Sequence, residues 1–239
     1  MLDVTTLLLL TIVFLAALLQ TTSGFGFALM AMPLVALVIG VKAAAPLVAL
    51  TGITLYAINL ARYRRGFDGR MVLPLAAAAA LGVPLGVWAL SSLDEDLIKR
   101  VLGVVLIAYA LYGVWKPRSA PLRSNLWAYP VGFLAGVLGG AFNTAGPPVI
   151  IYGNLKQWPR DLFRSTLQAL FLFSGSLVIA AHAAAGNLTS AVLTTYLLLV
   201  PALLLGVWAG AWVDRRISNQ HFRVLVQILI FATGVLLLI

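Results

Sequence analysis

Cysteine is absent from the chain, which excludes disulfides, thiolate metal sites and cysteine nucleophiles and leaves the compartment open. Acids are scarce. The seven, Asp3, Asp68, Asp94, Glu95, Asp96, Asp161 and Asp214, all fall at the ends of apolar stretches or between them. No stretch therefore carries the central carboxylate that a cation or proton site in a membrane needs, and a cation substrate is disfavoured. Histidine is nearly absent too. With only His182 and His221, far apart, and no embedded acid, an intramembrane hydrolase has neither a base nor a metal cluster, and no cofactor is implied. Charged residues make up 10% of the chain, against roughly 25% in a soluble domain.

What is present is apolar: 62% of the 239 residues are hydrophobic and the mean hydropathy is +1.03. Read against breakers, the sequence predicts ten helical segments, at 4–20, 27–40, 43–61, 71–91, 97–115, 126–139, 147–155, 162–185, 189–212 and 222–239. Most approach the roughly 20 residues that cross a bilayer, so the fold class is an all-α polytopic membrane protein and the lipid bilayer its first partner. The N-terminal "MLDVTTLLLL" lacks a basic region and a cleavage site, and reads as a retained helix rather than a signal peptide. The net charge of +9 does not indicate nucleic acid, because the basic residues sit in short loops between apolar runs.

Two segments are too short to cross comfortably, and each follows a glycine-containing break. The first break holds Gln20, Thr21, Thr22, Ser23, Gly24 and Gly26 within "QTTSGFG"; the second holds Asn143, Thr144, Gly146 and Pro147 within "GGAFNTAGPP". A broken helix in hydrocarbon leaves backbone groups unpaired at several kcal/mol each, so it persists only where protein or a polar cavity receives them. Half-helix N-termini present N–H groups and a positive dipole end, which suits an anion. Amide and hydroxyl side chains add donors, and glycine lets backbone approach a ligand. The alternative is a packing kink in which the hydroxyls bond back to their own helix.

The chain also repeats itself. "PLGVWALSSLD" at 84–94 matches "LLGVWAGAWVD" at 204–214 at an offset of 120, and "FLAALL" at 14–19 matches "FLAGVL" at 133–138 at an offset of 119. This predicts two five-segment repeats, 1–115 and 126–239, joined by a cytoplasmic linker at 116–125. Of the 16 Lys and Arg, 13 lie in the loops 62–70, 116–123, 156–164 and 215–223, which the positive-inside rule places in the cytoplasm. The repeats are then inverted, each a broken helix pair plus three transmembrane helices, with the C-terminus external.

Other polar residues have more ordinary readings. Gly82, Gly86, Gly206 and Gly210 suit helix packing, and glycine-rich faces allow a homodimer without demanding one. Arg62 and Arg164 read as snorkelling anchors, with attraction of an anion at the inner mouth as the rival role. His182 reads as an interfacial histidine and His221 as a loop residue. Tyr56, Asn59, Ser165, Thr166 and Gln168 either line a path or satisfy backbone.

With "SGFGFALMAMPLVAL" opening the first half and "GVLGGAFNTAGPPVIIYG" the second, the chain resembles the TauE/SafE family of sulfite and organosulfonate exporters, also called the toluene-sulfonate uptake permeases. The second motif is close to that family's G-T-G-G-P-P pattern; Asn143 and Ala145 depart from its glycines, and "GFGF" departs from consecutive glycines in the first. The matching positions are Gly24, Gly26 and Pro33, then Gly139, Gly140, Thr144, Gly146, Pro147 and Pro148. The resemblance implies a membrane transporter, not an enzyme, in the bacterial inner membrane, acting on a small sulfur-containing anion such as sulfite, sulfoacetate or a related sulfonate. An anion channel and a non-transporting assembly factor remain the alternatives.

Overall fold

The computed structural model describes residues 3–115, 122–214, 216 and 220–238. Ten α-helices account for nearly all of them, with no strand among the described residues. They are α1 (Val4–Ser23), α2 (Phe27–Ile39), α3 (Val41–Tyr63), α4 (Gly69–Ser92), α5 (Glu95–Trp115), α6 (Ala128–Phe142), α7 (Gly146–Leu155), α8 (Arg160–Ala184), α9 (Ser190–Asp214) and α10 (Gln220–Leu236). Among the described residues, α1, α3, α4, α8 and α9 are long and apolar enough to cross a membrane, while α2 and α6 are shorter apolar helices. Most of the predicted linker, 116–121, lies outside the described residues. His221 falls in the first turn of α10 rather than in a loop.

Small residues, not large ones, set the closest helix crossings. On α4 and α6, a Cβ at Gly82 or Gly86 would collide with the backbone of α6 around Phe133 and Val137, and one at Gly132, Gly136 or Gly140 with the carbonyls of Leu75, Ala79 or Val83. Gly206 and Gly210 of α9 meet the carbonyls of Phe14 and Leu18 on α1 in the same way. In lipid, which is as apolar as leucine, such backbone approach is what holds helices together. These glycines are thus occupied inside the chain and give no argument for a homodimer. Many large apolar side chains of α4 and α9 face outward instead: Leu81, Trp88, Leu197 and Trp208 are all more than half exposed, as a lipid-facing surface requires.

Helix α1 packs mainly on α9, α4 on α6, α3 on α8 and α5 on α10. Exchanging the first five helices for the last five, in order, leaves these four pairings unchanged. The ends recur as well: α1 and α6 stop, α2 and α7 start, and α3 and α8 start 119 positions apart.

Most of the acids have one task. Asp3, Asp68 and Asp94 accept backbone N–H groups at the starts of α1, α4 and α5, and Glu95 Oε1 accepts the Val41 N–H at the start of α3 (3.1 Å). Side-chain oxygens there cap unpaired donors and meet the positive end of the helix dipole. Asp214 alone of these five stands at the opposite end of its helix, as the last residue of α9.

Candidate functional site

Both breaks are closed by the same backbone device. Gly24, at φ +90°, donates its N–H to the Gln20 carbonyl (2.8 Å), and Asn143, at φ +57°, donates to the Gly139 carbonyl (2.8 Å). A single left-handed residue after the last turn satisfies one orphan carbonyl, and glycine and asparagine tolerate that conformation best.

At the first break the polar side chains serve the protein. Gln20 accepts the Phe27 N–H at the start of α2 (2.9 Å) and donates to Gln168 of α8 (3.2 Å), whose own amide donates to the Gly24 carbonyl (2.7 Å). Thr22 and Ser23 bond back to the carbonyls of Leu18 and Leu19 (both 2.8 Å), so α1 stays helical through Ser23 instead of stopping at residue 20. Thr21 accepts from Asn59 Nδ2 (3.3 Å), and its carbonyl accepts from the Tyr63 hydroxyl (2.9 Å). Gln20, Thr21 and Thr22 are buried, as is Gly24, whose missing side chain makes room for Arg164.

Arg164 is not a snorkelling anchor. Its side chain is 6% exposed; Nη2 donates to the Thr22 carbonyl at the end of α1 (2.6 Å) and to Asp214 Oδ1 (3.0 Å), while Nη1 reaches Asp214 Oδ2 (3.1 Å). Asp214 also takes Arg62 (3.1 Å) and Arg160 (2.9 Å). One carboxylate thus joins three guanidiniums from α3 and α8 at the end of α9. Sequence reasoning used Asp214 only as a repeat marker and missed this cluster; the available signal was Arg160, Arg164 and Gln168 at spacings of four, which share one face of a helix.

The second break is less enclosed by polar partners. Asn143 Nδ2 donates to the Ala45 carbonyl of α3 (2.8 Å), and Thr144, buried, donates to the Leu138 carbonyl from its N–H (3.3 Å) and, at longer range, from its hydroxyl (3.5 Å). Helix α7 opens with Gly146, Pro147 and Pro148, so two of its first three positions have no N–H to offer. Beside it lies a small pocket lined chiefly by Asn143, Ala145, Tyr56, Phe171, Ser174 and Gly175. The Ser174 hydroxyl donates to the Phe171 carbonyl at the long distance of 3.4 Å. Ser174 was not foreseen, although "FSGS" within an apolar helix is a visible cue.

The two breaks meet α3 far apart. Asn143 touches it at Ala45 and Thr21 at Asn59, 14 residues on, about 21 Å at 1.5 Å per residue. Between them lies an aromatic layer: Phe27, first residue of α2, stands edge-on to Tyr56 (6.3 Å between ring centres), Tyr56 lies 5.2 Å from Phe171, and Phe171 packs beside Gly146 at the start of α7. The half-helix starts therefore approach one another across Tyr56 and Phe171. The polar side chains of the first break bond instead to α8, α3, α9 and their own helix, and the Thr22 carbonyl accepts from Arg164. His182 is fully buried; Nδ1 pairs with Asn187 (3.1 Å), and Nε2 has no hydrogen-bond partner among the described residues.

Apolar helices of spanning length, a lipid-facing coat of leucine and tryptophan, and two interior breaks define a multi-pass membrane protein of the transporter kind. The sulfite exporter TauE/SafE family matches over residues 9–237, and the chain belongs to that family of membrane transporters. It is 27% identical over 159 residues to the probable inner membrane transporter protein TsaS of Comamonas testosteroni, covering 65% of this chain and 66% of that protein, just under two thirds of its length. It is also 27% identical over 201 residues to the probable sulfite/organosulfonate exporter TauE of Cupriavidus necator, covering 80% of this chain and 77% of that one. No solved structure gives a significant match.

Proposed function

We propose that the chain carries a small sulfur-containing anion, sulfite or an organosulfonate, across the bacterial inner membrane. The observation that carries this reading is the pocket beside the second break. Its polar groups are the Asn143 amide and the Tyr56 and Ser174 hydroxyls, and no carboxylate stands among its lining residues to repel an anion. The substrate class follows the name of one relative, the probable sulfite/organosulfonate exporter of Cupriavidus necator. Asn143, Thr144, Gly146 and Pro147 form the substrate side of the site. Gln20, Thr21, Thr22, Ser23, Gly24 and Gly26 frame the opposite side, where they fix α2 against α8.

The mechanism proposed is alternating access between two inverted repeats, 1–115 and 126–239. The recurrence of helix ends at 119 positions and the pairing pattern that survives exchange of the two sets of helices support it. The arginine-rich end faces the cytoplasm and the C-terminus the exterior. A negative interior then favours anion exit by about 2.3 kcal/mol per charge per 100 mV, with no embedded acid needed for proton coupling.

The test is uptake of labelled sulfite, sulfoacetate and taurine into proteoliposomes containing the pure protein. Saturable flux of a sulfonate, reduced by Ser174→Ala with the melting temperature unchanged, is the expected outcome. Absence of flux for every anion would sink the reading, and flux that never saturates would make the protein a channel.

A further inference from the structure

Two charges at the arginine-rich end stand where their helices disfavour them. Asp214 closes α9 at the negative end of that helix, and Arg160 opens α8 at the positive end of its own. They are held there by each other, and exposure falls inward through the cluster: 61% at Arg160, 28% at Arg62, then 10% at Asp214 and 6% at Arg164. Three positive charges surround one negative one. The other acid on this turn of α8, Asp161, is exposed and lies next to Arg160 in sequence. Tyr63 completes the wall, its ring under Arg62 and Arg164 and its hydroxyl 3.4 Å from Arg164 Nη1. Two carboxylate oxygens take all four guanidinium contacts, whereas a sulfonate or sulfite presents three oxygens to the same planar forks.

We propose that Asp214 is a tethered competitor of the transported anion: its carboxylate fills an oxyanion site built by Arg62, Arg160 and Arg164, and an anion entering at that end displaces it. The proposal rests on the anion reading above and adds a second site to it, on the far side of the aromatic layer from the pocket. Displacement removes the tie between α9 and the ends of α3 and α8, while Arg164 keeps its bond to the Thr22 carbonyl. The end of the bundle that is latched by one carboxylate is thereby opened by the ligand that replaces it.

Thermal unfolding of the purified protein, titrated with methanesulfonate at ionic strength held constant with chloride, tests this, because a ligand of the folded state raises the melting temperature. Asp214→Asn removes the competitor, and the concentration for half the maximal shift should fall about tenfold, the equivalent of one factor of ten in affinity. Arg160→Gln alters one exposed partner and should raise that concentration. An Asp214→Asn response no stronger than that of the natural chain, or one equalled by chloride alone, overturns the proposal. If Asp214→Asn does not yield folded protein, Arg160→Gln decides, and an unchanged midpoint overturns it. A strong Asp214→Asn response without flux in any variant would defeat the transport reading and leave this site standing; saturable flux without that response would do the reverse.

Discussion

At the first break Gly24 leaves space and a distant helix fills it: Arg164 lies where a side chain would be, and Gln168 takes the exposed carbonyl. At the second, 119 positions on, Asn143 supplies the side chain itself and reaches the bare backbone of Ala45. The same turn is thus closed once from outside and once from within. Where the partner helix contributes long polar side chains, the Gln20 amide and the Gly24 carbonyl are tied to Gln168. Where the neighbouring helices bring Ala49, Phe171, Ser174 and Gly175, a pocket lies beside the turn. Under the proposed function, the first break is a structural joint and the second the place for a ligand.

Variants can break or sharpen that contrast. The largest effect belongs to Arg164→Ala, which leaves Asp214 without its most buried partner; removing one member of a buried pair costs about 3–5 kcal/mol, read as loss of folded protein in a denaturant or thermal titration. Gln168→Leu should cost about 1–3 kcal/mol, since it strands the Gly24 carbonyl and the Gln20 amide together. Gly24→Ala forces a side chain into a left-handed residue, about 1–2 kcal/mol from the backbone alone, and also brings its Cβ to 2.7 Å from Arg164 Cγ, so that Arg164 must shift. Smallest in stability is Asn143→Gly, where easier backbone offsets the lost bond to Ala45 to within about 1 kcal/mol. If the contrast is right, Asn143→Gly nonetheless lowers sulfonate flux. Equal losses of stability at both breaks would erase the distinction.

Helices and breaks were legible because period, glycine and proline act locally. The errors at their edges have two causes, one local and one distant. Thr22 and Ser23 read as loop residues, but hydroxyls that bond carbonyls four residues back remain helical. Gly139 and Gly140 read as the start of the second break, yet α6 runs on to Phe142 because Gly140 is held against the backbone of Val83. The role of the first break was not legible at all. Its polar groups looked free for a ligand because their partners, Gln168 and Arg164, lie more than 140 residues away and read as path-lining and as a snorkelling anchor on their own helix. The cluster around Asp214 was hidden for the same reason: one acid at a helix end has no local signature until three arginines from elsewhere close on it.

The pairing of α1 with α9 also bears on how the chain is made. At roughly 5–20 residues per second, translation reaches α9 on the order of 10–40 seconds after α1 has left the ribosome. Throughout that interval the first helix waits in the translocon or the lipid without the neighbours that later bury its polar end. Thr22 and Ser23 can shelter their hydroxyls on their own helix from the start. Gln20 cannot complete its bonds until α8 emerges, so the last turn of α1 reaches its final form only when nearly the whole protein has been synthesised.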